Sequence, residues 1–228
     1  MGNICIIPAR GGSKRIPRKN IKEFLGKPII AYSIKAALDS GLFDEVMVST
    51  DDAEIADIAK KFGANVPFLR STNNSDDNAT IIDVLNEVIN NYLKQSIKFE
   101  NLCCIFPCAP FVTADKLTLA FEQLIKSKFD SIFPVVRYSY PIQRALSLRA
   151  GKVKMVQDKY LNKMTQEFEV FYHDTGQFYF CNTNKVISQS KLMTQNSKGI
   201  EVFELEVQDI DNEGDWKLAE LKYKLMNR

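Results

Sequence analysis

The chain has 228 residues, 45% hydrophobic and 25% charged, which suits a soluble globular protein with one sizeable core and excludes a fibrous or low-complexity chain. Its net charge of +2 makes no global demand for nucleic acid or an anionic membrane as partner. Five cysteines without a C-x-x-C pair favour buried reduced thiols over a disulfide frame or a zinc site, and the lack of a signal-peptide pattern or an apolar run of about 18 residues predicts a cytoplasmic location.

An apolar run over 3–7 predicts a first, buried strand. The loop after it, Pro8-Ala9-Arg10-Gly11-Gly12-Ser13-Lys14-Arg15-Ile16-Pro17-Arg18-Lys19-Asn20, carries paired glycines, and its cations together with Lys22 precede the first acid, Glu23. Glycines let main chain approach a ligand closely, consecutive N–H groups form an anion nest, and cationic side chains can close it around a polyphosphate. Neither G-x-G-x-x-G nor G-x-x-x-x-G-K-[ST] is present. A solvated basic loop and a basic nucleic-acid patch are the alternatives; neither accounts for two glycines directly after a buried strand.

A helix is predicted over 28–38, a buried strand over 45–49 ending at Thr50-Asp51-Asp52, a helix over 53–62 and a short strand over 66–69. This alternation implies parallel pairing with right-handed crossovers, and ligands in such sheets sit outside the carboxyl ends of the strands. The basic loop, the Thr50-Asp51 turn and Arg70 should share that edge. Residues 70–78 read as a loop, with Asp77 or Asn78 as a helix cap, and an amphipathic helix follows over 79–93. The strand over 102–106 is apolar throughout, hence central, and ends in Phe106-Pro107-Cys108-Ala109-Pro110. A helix over 115–126 and a strand over 130–136 continue the rhythm.

From 138 to 173 the chain is too polar and aromatic for a simple link, and it reads as an insertion off the main sheet. Residues 146–156 form a hairpin turning at Ala150-Gly151, while 162–170 stay unassigned. After Tyr172-His173-Asp174-Thr175-Gly176-Gln177-Phe178, a helix over 184–189 and a last strand over 201–207 lead into Gln208-Asp209-Ile210-Asp211. If that strand continues, alternation puts Asp209 and Asp211 on one side, where paired carboxylates suit Mg²⁺. The other reading is that Asp211 or Asn212 caps a final helix over 213–226.

The run Pro8 to Arg15 with Lys19-Asn20 resembles the signature of the cytidylyltransferases that activate nonulosonic acids, the CMP-sialic acid synthetase family, and the resemblance extends over essentially the whole chain. It implies one α/β domain with a three-layer, Rossmann-like nucleotidyltransferase fold, a mainly parallel sheet, and a dimerisation arm at about 138–173. It implies CTP as co-substrate, Mg²⁺ on Asp209 and Asp211, a nonulosonic acid as acceptor and a homodimer. Ala9, Arg10, Gly11, Gly12, Ser13, Lys14 and Lys19 would hold the triphosphate, with Arg10 and Lys19 neutralising charge during the reaction. Asn20, Arg70 and Thr80 would bind the cytidine. In sialic acid synthetases a glutamine stands where this chain has Phe106, and a serine where it has Ala109, so the sugar pocket should differ. Phe106 and the stretches Tyr140-Pro141-Ile142-Gln143-Arg144 and Tyr172 to Phe178, with Gln166, resemble the pseudaminic acid branch. Phe106, Tyr140, Gln143, Arg144, Gln166, His173 and Gln177 are the implied sugar contacts, in the service of surface glycan or flagellin glycosylation. The same reaction on sialic, legionaminic or 3-deoxy-octulosonic acid is the nearest rival, followed by a non-catalytic nucleotide-binding regulator; a nucleic-acid binder would need a more extended basic footprint.

Overall fold

The computed structural model describes residues 2–76 and 79–227. In chain order, β1 (Gly2–Pro8), a ribbon of β2 (Glu23–Phe24) and β3 (Lys27–Pro28), α1 (Ile30–Ser40), β4 (Glu45–Ser49) and α2 (Ala53–Lys61) come first. They are followed by α3 (Ile81–Lys94), β5 (Phe99–Ile105), α4 (Ala114–Lys126) and β6 (Ser131–Arg137). A hairpin of β7 (Leu146–Arg149) and β8 (Lys152–Met155) precedes β9 (Tyr172–Asp174), β10 (Phe178–Asn182), α5 (Thr183–Gln189), β11 (Ser197–Glu201) and α6 (Glu213–Met226).

Ile4, Cys5, Ile6 and Ile7 of β1 are all fully buried, so this strand needs cover on both faces. It pairs in parallel with β4 on one side and β5 on the other. The sheet order is β11-β6-β10-β5-β1-β4, with β10 antiparallel to both of its neighbours and β11 parallel to β6. Five strands therefore point one way, a mainly parallel sheet. Alternate residues feed opposite layers. Cys5 and Ile7 join the layer of Ile34 (α1), Ile55 (α2) and Leu117 (α4). Ile4 and Ile6 join that of Leu85 and Val88 (α3) and Val186 (α5). Three layers result, as expected from the alternation of strands and helices.

A smaller cluster at the carboxyl edge gathers Ile16 from the basic loop, Phe24 from the ribbon, and Ile210, Trp216 and Ala219 from the last segment. It brings the two ends of the chain together where the strands end. Residues 138–171 run off the main sheet, and their hairpin turns at Ala150 and Gly151, both at positive φ. The insertion ends short of the expected 173, because Tyr172 and His173 lie in β9, which pairs antiparallel with β6. Residues 162–170 contribute only a 3₁₀ turn, Thr165–Glu167.

Two expectations need correction. Residues 66–69 form no strand: a single bridge joins Met47 to Asn65, and Pro67, with no N–H to donate, stops the ladder there. The last strand lies earlier than 201–207, at Ser197–Glu201, followed by a 3₁₀ turn at Glu204–Glu206. Gly199 permits this register, because a Cβ there would lie 2.7 Å from a Val135 methyl. Thr80 caps α3, accepting from Asp83 N–H, whereas Asp77 and Asn78 lie outside the described residues. Asn212 caps α6, as one of the two readings of that segment held.

Candidate active site

The basic loop leaves β1 with buried Ala9 bonded to Ser49 O at 2.9 Å. Gly11 N–H donates to Asp51 Oδ1 at 2.9 Å, and a Cβ on Gly11 would meet Asp52 Oδ2 at 2.7 Å. The close approach that requires a glycine is thus to the β4–α2 turn, while Gly12 faces open space. Arg18, at φ 55°, donates to both oxygens of Asp52 and pairs with Glu54, holding the Asp52 carboxyl below its usual pKa. Lys22 pairs with Glu213 and lies over the Trp216 ring. These two cations fasten the loop to α2 and α6.

The loop's other cations face a cavity of about 640 Å³ at the carboxyl ends of β1 and β5. Arg10, Ser13, Lys14, Arg15 and Lys19 line one wall; Ala9, Gly11 and Gly12 shape the loop behind it. Buried Asn20 also lines the cavity, donating to Arg10 O at 2.9 Å and accepting from Cys108 Sγ. Arg70 lines it too, fixed by bonds to Ser49 Oγ (3.1 Å) and Ser49 O. Burial lowers the Arg70 pKa from its usual value, against the opposing fields of Asp51 and Glu87. Phe106, expected as a wall of the sugar pocket, supplies an apolar wall of this first cavity, with its N–H bonded to Gln177 O. Thr80 is absent from the lining; its hydroxyl is taken up by Asp83.

The segment after the 3₁₀ turn closes the cavity with Gln208, Asp209 and Ile210. It is irregular backbone, so strand alternation does not set its two acids. Asp209 faces the cavity, whereas Asp211 pairs with Arg15 at 2.5 Å. Lys19 Nζ reaches across to Ile210 O at 2.8 Å. Among the described residues, no group of three or more His, Cys, Asp or Glu could hold a metal ion.

A second cavity, about 220 Å³, shares Gln208 and Asp209 with the first and is also lined by Arg137, Tyr138, His173 and Lys222. Of the expected sugar contacts, His173 is here. Gln177 is buried behind, its amide donating to Glu206 O. Gln143 donates to Glu169 O, and Arg144 donates to Lys163 O and covers the Phe168 ring. Gln166 and Tyr140 are exposed, Tyr140 by 87%. None of these last four lines either cavity within this one chain. Sequence reasoning named Arg15 among the loop cations without giving it a role and passed over Arg137 and Gln208; a charge at the carboxyl end of β6 was the available signal for Arg137.

A family model described as cytidylyltransferase matches residues 4–213. The chain belongs to the cytidylyltransferase family. It is 41% identical over 226 residues to the pseudaminic acid cytidylyltransferase of Campylobacter jejuni, covering 99% of this chain and 97% of the relative. It is 29% identical to the CMP-N,N'-diacetyllegionaminic acid synthase of Legionella pneumophila, over 95% of this chain and 94% of the relative. A solved CMP:2-keto-3-deoxy-manno-octonic acid synthetase complexed with CTP has the same fold, with a TM-score of 0.71 at 16% identity, over 100% of this chain and 99% of the other.

The cytidylyltransferase's thiols should be inert. Cys108 beside the cavity is pushed up to about 12 by burial, and Cys5, Cys103, Cys104 and Cys181 are buried in the core and shifted upward too. The Cys108 side chain is therefore mostly protonated thiol near neutral pH. Native protein treated with iodoacetamide should show no modified cysteine by mass spectrometry, and all five only after denaturation. Rapid native labelling of Cys108 would contradict this.

Proposed function

We propose that this cytidylyltransferase transfers CMP from CTP to the anomeric hydroxyl of a nonulosonic acid, pseudaminic acid foremost, releasing pyrophosphate. The observation that carries this reading is the pair of cavities meeting at Asp209: one has a cationic wall suited to a triphosphate, the other a polar lining suited to a sugar acid. The near full-length similarity to a pseudaminic acid cytidylyltransferase supports the choice of acid.

In this mechanism Arg10, Ser13, Lys14 and Lys19 hold the triphosphate, and Asn20 and Arg70 position the nucleoside end. The anomeric oxygen attacks the α-phosphorus in line. The new P–O bond forms as the bond to the bridging oxygen breaks, the electron pair leaves with pyrophosphate, and the hydroxyl proton passes to solvent water. Catalysis is then mainly positioning and charge stabilisation. Phe106 and Pro107 cover the reacting end with apolar surface, which strengthens those electrostatic contacts. Asp209 and Asp211 fit a hard divalent cation such as Mg²⁺ by their oxygen donors and their place beside the polyphosphate wall; bound there, it would neutralise phosphoryl charge and lower the pKa of the attacking hydroxyl.

Residues 138–171 expose Tyr140, Leu148, Val153 and Leu161 while building little core of their own, which supports an arm that packs against a second copy. A homodimer by sedimentation equilibrium is the expected result; a monomer at micromolar concentration would remove the arm's assigned role. The use of CTP supports a cytoplasmic location. Separately, no helix among the described residues is long and apolar enough to cross a membrane. The test of function is pyrophosphate release with CTP and Mg²⁺ across pseudaminic, sialic, legionaminic and 3-deoxy-octulosonic acids. Release with pseudaminic acid above the others is expected. Preference for another acid would keep the chemistry and overturn the substrate; binding of CTP without release on any acid would favour a non-catalytic role.

A further inference from the structure

In the open-chain-derived ring of a 2-keto sugar acid, the carboxylate sits on the same carbon as the anomeric hydroxyl. The acceptor therefore brings a negative charge close to the α-phosphate and to Asp209, both negative themselves. The cations of the basic loop line the opposite cavity, where a triphosphate would engage them. A divalent ion on Asp209 would offset part of this charge, and a cation on the acceptor side with donors to spare would both offset the remainder and orient the carboxylate.

The second cavity holds three candidates. Lys222 is committed: its Nζ donates to Val207 O at 2.7 Å and Glu204 O at 3.1 Å, and burial lowers its pKa. His173 has Nδ1 against Asp174 O at 2.9 Å and its ring against Tyr138, with centroids 4.8 Å apart. Arg137 differs. It is the last residue of β6, at the carboxyl edge where ligands of such sheets bind, and its side chain is exposed. No hydrogen bond or ion pair among the described residues ties its guanidinium, whose field acts on the neighbouring Tyr172 phenol. A guanidinium meets a carboxylate with two parallel N–H donors, a geometry that orients as well as attracts.

We infer that Arg137 binds the carboxylate of the acceptor acid in the second cavity, and so sets the anomeric hydroxyl toward the α-phosphate. This rests on the proposed reaction. Arg137 lies outside every contact that the sequence pattern implied, and it makes the second cavity selective for an acid over a neutral sugar.

The test compares wild type with Arg137→Gln in pyrophosphate release, using the best acid of the panel, and measures CTP binding by calorimetry. A charge-assisted contact of this kind predicts a KM for the acid at least about tenfold higher in the variant. CTP affinity should be unchanged. The methyl ester of the acid, used as a competing ligand, should bind both proteins alike, since the missing interaction requires the anion. Arg137→Lys, which keeps the charge and loses the fork, should fall between the two. An unaltered KM for the acid, or equal weakening toward acid and ester, would overturn the assignment while leaving the reaction standing. Absence of turnover by wild type on every acid would instead overturn the reaction, and the assignment with it.

Discussion

Asp209→Ala is expected to lower pyrophosphate release more than a thousandfold, with CTP and Mg²⁺ saturating, on a protein that melts as wild type does. Asp209 is the carboxylate shared by both cavities, so it stands where nucleotide and acceptor would meet. Charge stabilisation by a bound cation at such a point contributes several kcal/mol, and ~4 kcal/mol corresponds to about a thousandfold in rate. Asp211→Ala should fall nearly as far if both acids hold the cation. Its present partner is Arg15, whose side chain is 70% exposed, and exposed ion pairs contribute little to stability. The fold should therefore survive either change. Circular dichroism and sedimentation check that survival. An Asp209→Ala enzyme that keeps a tenth of wild-type turnover would remove the carboxylate pair from the mechanism. A large loss for Asp209→Ala with none for Asp211→Ala would leave Asp209 acting alone.

The layers were legible because their cause is local. Strand β1 is isoleucine and cysteine between a polar start and a glycine loop, and nothing but double-sided burial suits it. The basic loop was legible as a cluster of cations at the sheet's carboxyl edge, but its division of labour was not. Arg18 and Lys22 look no different in sequence from Arg10 and Lys14; only the fold sets Asp52 and Glu213 beside the first two. Residues 201–207 misled for a related reason. Val202, Phe203, Leu205 and Val207 look like a strand, yet Phe203 is 80% exposed, and the ladder uses Gly199 instead. A glycine lowers strand propensity, and its compensating close approach to Val135 comes from a partner strand more than 60 residues away in sequence. Thr80 and Gln177 were singled out by pattern as ligand contacts, and in the fold the Thr80 hydroxyl bonds Asp83 while the Gln177 amide nitrogen donates to Glu206 O. A motif identifies residues that matter to a site without saying whether they touch a ligand or hold what touches it.

Lys19 poses that question in its sharpest form. Its Nζ lines the large cavity and also donates to Ile210 O, next to Asp209, across 191 residues of sequence. It can act as a charge on the transferring phosphate, as a tether that keeps the Asp209 segment in place, or as both. Lys19→Met is expected to lower kcat/KM at least a hundredfold, ~3 kcal/mol, the scale of one pre-organised charge partner in a dry site. Loss of the tether alone removes one hydrogen bond, about 1 kcal/mol, and should cost tenfold or less. Lys19→Gln separates the two, since a carboxamide can still donate to the Ile210 carbonyl but carries no charge. Equal losses in Met and Gln, seen mainly in kcat, assign Lys19 to the phosphoryl group in the transition state. Recovery in Gln assigns it to the tether, and the burden of neutralising the leaving pyrophosphate then shifts to Arg10, Lys14 and Arg15 on the same wall.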